Sequence, residues 1–177
     1  MKDIYILQTH TGTIPGTIIK FLTGYKYSHV LLSLDNSLSK MYSFGRKTLY
    51  NPLNAGFVIE DINGRFFHKF NKTKCRIYKI TINDNQYQKL EEILKNFENN
   101  KDVYRYDLIG LILKYFYIPI KREKHYVCSQ FVAEVLAQAE IVEFHKSHSL
   151  IRPKDFETLF CDNEIYSGLL TDAKRIV

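Results

Sequence analysis

The sequence predicts a single α+β domain that spans residues 1–177. Three observations lead to this prediction. Short apolar segments of strand length lie between turn residues, and longer segments carry apolar residues at helical spacing. The chain is 45% hydrophobic and is long enough to bury one substantial core. We therefore expect an antiparallel sheet of about five or six strands packed against helices.

The first elements are a strand, a helix and a hairpin. Residues 3–8 are apolar and strand-like, and a helix is predicted from Thr13 to a point just before Gly24. The hairpin pairs residues 27–34 with residues 39–44 across a polar turn.

Residue alternation determines which side chains share a face of this hairpin. One face would carry Val30, Leu32, Leu34, Tyr42 and Phe44, and the other His29, Leu31, Ser33, Met41 and Ser43. His29 and Ser43 are therefore expected on the same face.

The remaining elements follow from the same signals. Strands are predicted at residues 56–61, 75–82 and 164–170, and helices at residues 85–98, after the capping Asp107, from Cys128 and from Pro153. The helix that begins at Cys128 is expected to be central.

Composition restricts the cellular setting. The N-terminus lacks the pattern of a secretory signal, and the longest apolar run, residues 108–120, is interrupted by Lys114. That run is shorter than the roughly 20 residues that a membrane span requires, so no transmembrane segment is expected. The three cysteines are an odd number without paired spacing, which favours a reducing compartment and predicts a cytoplasmic protein.

The net charge of +6 and the pI of about 9.1 raise the question of an anionic partner. Lysines and arginines are spread along the chain with acidic residues among them, which makes nucleic acid an unlikely partner. The densest basic cluster is residues 121–124, shortly before Cys128. Such a loop would favour an acidic substrate.

Cys128 is the residue with the strongest chemical signal. Apolar residues recur after it at helical spacing, so the cysteine falls at the N-terminal end of an apolar stripe. The partial positive charge at a helix N-terminus stabilises a thiolate, which is a nucleophile. Burial as a small apolar residue is the alternative interpretation.

A thiolate hydrolase also needs a base, and histidine suits that role near neutral pH. His29 lies within an apolar strand, where an imidazole without a partner would be costly to bury. A buried histidine with a purely structural role is the alternative. The other histidines lie in predicted loops or polar stretches, or just before the helix: His10, His68, His125, His145 and His148.

A metal site is a further alternative, because His125 and Cys128 and, separately, His145 and His148 have ligand-like spacing. These two pairs fall near opposite ends of the predicted helix, and structural zinc sites draw their ligands from compact spacings. The sequence therefore predicts neither a metal nor a cofactor.

The combination of Ser28-His29-Val30 on a strand and Cys128-Ser-Gln-Phe-Val at a helix start, about a hundred residues later, resembles the circularly permuted papain-like hydrolases. Within them the chain is most similar to the YaeF/YiiX-like permuted amidases, relatives of the NlpC-type peptidases. Further similar motifs are Tyr42-Ser43-Phe44-Gly45, residues 106–110 and Pro153-Lys-Asp155. The histidine precedes the cysteine, as permutation requires.

The resemblance implies that Cys128 is the nucleophile and His29 the general base, with the backbone N–H of Cys128 as oxyanion donor. The third polar residue of the family belongs on the strand after the histidine. That strand offers Ser43, with Tyr42 beside it, and no carboxylate. A serine can orient an imidazole but cannot stabilise an imidazolium as an anion would.

Two functions remain open at this point. The first is a cysteine hydrolase or acyltransferase that acts on a small peptide, another amide or an acyl ester through a Cys128 thioester. The second is a binding module of the same fold, impaired in catalysis, that recognises a peptide, a lipid or another anionic ligand. Fold alone does not decide between them.

Overall fold

The chain is an α+β protein with a six-stranded antiparallel sheet and several helices, as predicted. The computed structural model describes residues 1–12, 24–48, 51 and 54–173. The helix predicted to begin at Thr13 lies outside these residues. Gly24, expected to follow that helix, has a φ angle of 64°, a conformation that glycine adopts easily.

The strands and helices are numbered here in chain order. The strands are β1 Lys2–His10, β2 His29–Ser33, β3 Met41–Arg46, β4 Ala55–Glu60, β5 Lys74–Ile82, β6 Arg105–Tyr106, β7 His125–Tyr126 and β8 Glu164–Leu169. The helices are α1 Arg65–Lys69, α2 Asp84–Asn99, α3 Leu108–Tyr115, α4 Cys128–Gln138, α5 Pro153–Phe160 and α6 Leu170–Ala173. The main sheet has the order β4-β3-β2-β1-β5-β8, and β6 and β7 form a separate parallel pair.

The chain divides into two compact units. The first contains Met1–Lys2, Tyr42–Val58 and Ile82–Arg152, and the second contains Asp3–Met41, Ile59–Thr81 and Pro153–Val177. A single domain over residues 1–177 stays a prediction.

The first unit is built around α4 and an aromatic cluster. A capping box between Asn83 and Gln86 starts α2, which packs against α4. Phe131 of α4 lies 5.2 Å from Phe44 of β3, measured between ring centroids. The other rings of this cluster are Phe57, Phe97, Tyr104 and Tyr126. These contacts fix the position of the helix that begins with Cys128.

The second unit has its own apolar core. β1 pairs with β2 in antiparallel register, so that Leu7 lies opposite Leu31 and Thr9 opposite His29. Leu31 and Met41 belong to one buried cluster, on the hairpin face that the alternation assigns to both. The remaining members of this cluster are Tyr5, Leu7, Leu38, Ile62, Phe67, Cys75, Ile77, Leu170 and Ala173. His29 is the first residue of β2, and because side chains alternate along a strand, it lies on the same face of β2 as Leu31.

No helix among the described residues is long and apolar enough to cross a membrane.

Candidate active site

Cys128 is the first residue of α4, as the sequence predicts. The preceding Val127 has an extended backbone and forms no side-chain capping bond with the first turn. The cysteine is buried, with an exposed fraction of 3%. A helix start directs backbone N–H donors and partial positive charge toward this residue, which favours the thiolate. The position therefore supports both activation of a nucleophile and binding of an oxyanion.

Tyr106 is the tyrosine next to this thiol. The parallel pairing of β6 with β7 places Tyr106 opposite Tyr126, two residues before Cys128. Burial raises the pKa of Tyr106, and the negative charges of ionised Cys128 and Asp107 raise it further. The phenol therefore keeps its proton near neutral pH and can donate a hydrogen bond near the sulfur. A two-residue strand has no periodic pattern, so the sequence alone did not point to Tyr106 as a member of the site.

A buried lysine holds the next residue of α4 in place. Lys114 of α3 is 5% exposed, and its Nζ donates to Ser129 Oγ at 3.0 Å and to the Ile151 carbonyl oxygen at 2.7 Å. Ser129 Oγ donates to the same carbonyl at 2.6 Å. This network joins α3, the first turn of α4 and the segment before α5. These hydrogen bonds hold the backbone next to Cys128 in place.

Asp107 organises the loop that leads to the cysteine. Its Oδ1 accepts from the Gly110 backbone N–H at 2.9 Å, which confirms the predicted cap of α3. Arg122 Nη1 donates to the same oxygen at 2.9 Å. A Cβ atom at Gly110 would collide with the Asp107 carboxylate, so this cap requires glycine. The buried carboxylate thus links Arg122 of the basic loop to the start of α3.

Ser43 and its neighbour Tyr42 are both buried on β3, with exposed fractions of 0% and 5%. Ser43 and Cys128 belong to the first unit, whereas His29 belongs to the second. The proposed orientation of His29 by Ser43 or Tyr42 stays a prediction.

His29 forms a hydrogen-bonded pair with a carboxylate. Its Nε2 lies 3.2 Å from Oε1 of Glu60, the last residue of β4. Both side chains are mostly buried, with exposed fractions of 20% and 13%. The pair belongs entirely to the second unit. An anion at this position can hold the ring orientation and, unlike a serine, can also stabilise an imidazolium.

Glu60 does not lie where the sequence predicts the third polar residue. That residue was expected on β3, the strand directly after the one that carries the histidine, and β3 has no carboxylate. The available signal was an acidic residue at the end of the predicted strand over residues 56–61. Spacing along the chain does not reveal that β4 ends beside the start of β2, because that relation depends on tertiary structure.

The other described histidines have different environments. His10 is the last residue of β1 rather than part of a loop, and its Nδ1 lies 3.3 Å from Ser28 Oγ. His125 Nδ1 lies 2.7 Å from the Glu123 carbonyl oxygen. Within the described ranges, no group of three or more His, Cys, Asp or Glu side chains is arranged to hold a metal ion.

The three cysteines differ in environment, and none forms a disulfide. Burial raises the pKa of the Cys75 thiol to about 12 in the core of the second unit. Cys161 is exposed at the start of a short 3-10 turn. Cys128 alone among them begins an α-helix.

Comparisons of the chain with protein-family models, with curated proteins and with solved structures give no significant match.

Proposed function

We propose that this protein is a cysteine hydrolase or acyltransferase with a permuted papain-like fold. The observation that carries the proposal is Cys128 at the first position of a buried α-helix that lacks a side-chain cap. The resemblance of the His29 and Cys128 motifs to the permuted amidases, with histidine before cysteine, points to the same chemistry. The proposed substrate is a small peptide, another amide or an acyl ester.

In the proposed mechanism, the thiolate of Cys128 attacks the acyl carbon of the substrate. The carbonyl π electrons move to oxygen, and the backbone N–H of Cys128 stabilises the resulting oxyanion. The oxyanion then re-forms the carbonyl and expels the amine or alcohol, which takes a proton from the His29 imidazolium. Water attacks the thioester with neutral His29 as base, and this releases the acid and the thiolate. An acceptor amine or alcohol in place of water gives acyl transfer.

Glu60 supports this assignment of roles. Because Nε2 of His29 is beside Glu60, Nδ1 is the nitrogen that would exchange the proton with sulfur in this mechanism. The binding-module alternative depended on the absence of a carboxylate next to the histidine. Glu60 removes that reason, so we favour the enzyme. A cytoplasmic location is part of the proposal, because all three cysteines are thiols.

Covalent capture with a reactive ester tests the proposal without knowledge of the natural substrate. We expect p-nitrophenyl acetate to give a burst of nitrophenolate and an acetyl group on the peptide that contains Cys128. Cys128→Ala should abolish the burst, and the matched variant Cys161→Ala should retain it, because Cys161 is an exposed thiol outside α4. Acetylation of Cys161 alone, or a burst unchanged in Cys128→Ala, would overturn the proposal.

A further inference from the structure

The helix α3 and the turn after it expose their apolar side chains. Seven large apolar residues within eleven positions have exposed fractions between 45% and 71%. We call them the α3 patch: Leu108, Ile109, Ile112, Tyr115, Phe116, Tyr117 and Ile118. The residues of α3 that are buried are instead Gly110 and Lys114. Leu111 and Leu113 are half-buried, so the helix buries a lysine while it exposes four of its six large apolar residues. An exposed patch of this kind is typical of an interaction surface.

The turn at the end of α3 holds an aromatic side chain at the surface. Tyr117 N–H donates to the Lys114 carbonyl at 3.1 Å, and Ile118 N–H donates to the Leu113 carbonyl at 3.0 Å. Tyr117 has a φ angle of 60°, in the left-handed region that glycine normally occupies after a helix. Tyr117 therefore has a backbone conformation that is unfavourable for its side chain, and it is also the most exposed member of the α3 patch.

Arg152 fixes this tyrosine. Its guanidinium carbon lies 4.3 Å from the centroid of the Tyr117 ring, and Nη1 donates to the Tyr117 hydroxyl at 3.3 Å. Nη2 donates to the Lys114 carbonyl oxygen at 2.8 Å. Contacts with Arg152, in the same unit, therefore hold the exposed Tyr117 ring in place.

Positive charge borders the α3 patch on both sides in the sequence. Residues 101–125 contain six Lys or Arg and three Asp or Glu, a net charge of +3, which is half of the net charge of +6 for the whole chain. Lys114 is buried, and Arg122 is paired with Asp107. The exposed cations are Lys101, Arg105, Lys121 and Lys124, and Lys121 Nζ also lies 3.3 Å from Glu134 Oε1.

We propose that the α3 patch binds the surface of an anionic lipid bilayer, with its apolar side chains in the headgroup region and the flanking cations on the lipid phosphates. Tyrosine rings suit that boundary because one end is apolar and the other is polar. Apolar insertion and electrostatic attraction together are the two components of peripheral membrane binding. The proposal does not depend on the chemistry of Cys128.

Charge favours a lipid surface over a second copy of the chain as the occupant. A two-fold dimer built on the α3 patch would use the same surface on both subunits. It would therefore bring the cations of residues 101–125 close to those of the partner, and like charges repel. The negative charges of an anionic bilayer would instead attract the same cations.

Vesicle flotation tests the proposal with the full chain. We expect wild-type protein to float with vesicles of phosphatidylcholine and phosphatidylserine, and to float at least about tenfold less with phosphatidylcholine alone. The double variant Ile112→Ser with Phe116→Ser should lose binding by at least about tenfold. The double variant Lys121→Glu with Lys124→Glu should bind less to the vesicles that contain phosphatidylserine. Its binding to vesicles of phosphatidylcholine alone should not change.

A matched control uses exposed apolar residues of the second unit. Leu159→Ser with Ile165→Ser should bind the anionic vesicles like wild type, because these residues lie outside the α3 patch. Circular dichroism melting of each variant tests whether the fold is retained. Absence of flotation for wild type would overturn the proposal. Flotation that persists in the patch variant would also overturn it, as would a dimer that depends on the α3 patch and does not bind vesicles.

Discussion

Alkylation of Cys128 by iodoacetamide near pH 6 is expected to slow by about 100-fold when His29 is replaced by alanine. In the proposed mechanism an imidazolium beside the thiol stabilises the thiolate and holds the pKa of the cysteine well below its usual range. Such a thiol is largely ionised near pH 6, whereas a free cysteine with a pKa of about 8.5 is roughly 0.3% ionised. The rate is measured by mass spectrometry of the peptide that contains Cys128.

The buried position of Cys128 requires a control for access of the reagent. Each rate is therefore divided by the rate for the same protein near pH 9.5, where an ordinary thiol is about 90% ionised. The ratio of the rate near pH 6 to the rate near pH 9.5 should fall less in Glu60→Gln than in His29→Ala. It should fall least in Ser43→Ala. Both of these variants retain the imidazole of His29. A Cys128 that reacts like exposed Cys161 and is insensitive to His29 would favour the binding-module alternative.

Replacement of Phe44 by alanine is expected to lower the free energy of unfolding by about 3–5 kcal/mol. Phe44 is completely buried and contacts five other aromatic rings of the first unit, with centroid distances from 5.1 to 6.3 Å. Truncation leaves a cavity at the centre of this cluster, beside Phe131 of α4. Urea denaturation measures the change, with the midpoint as the primary value.

Phe116→Ala is the matched control for that measurement. It removes the same side chain from a position that is 63% exposed in the same unit, so the expected change is within about 0.5 kcal/mol. Equal destabilisation by the two substitutions would contradict the assignment of Phe44 to the core and of Phe116 to a surface. A clear difference would also show that Phe116 contributes little to folding, as the membrane proposal expects.

Local signals in the sequence are sufficient where a single residue or a short pattern determines the structure. The apolar stripe after Cys128 predicted where α4 begins, and Asp107 was correctly identified as the cap of α3. Strand alternation likewise placed Leu31 and Met41 on one face of the hairpin. In each case the determining interactions lie within a few residues of one another or follow from a period of two or 3.6 residues.

The features that the sequence did not reveal depend on tertiary structure. Glu60 contacts His29 only because β4 ends near the start of β2, and these strands are not consecutive in the chain. Tyr106 lies near Cys128 only because β6 pairs with β7. The five-residue helix α1 is too short for a recognisable helical period. The apolar run over residues 108–120 identified a helix, but it could not show that Lys114 is buried while Ile112 and Tyr115 are exposed.

The proposed mechanism requires Cys128 and His29 to exchange a proton, and NMR titration of the His29 ring tests this most directly. The ring signals are assigned by comparison with the spectrum of His29→Gln. If thiolate and imidazolium form a pair, each stabilises the charge of the other, so the imidazole pKa is raised in the wild type. We expect Cys128→Ser to lower the pKa of His29, because serine carries no negative charge. A His29 titration that is identical in wild type and Cys128→Ser would contradict the proposed pair.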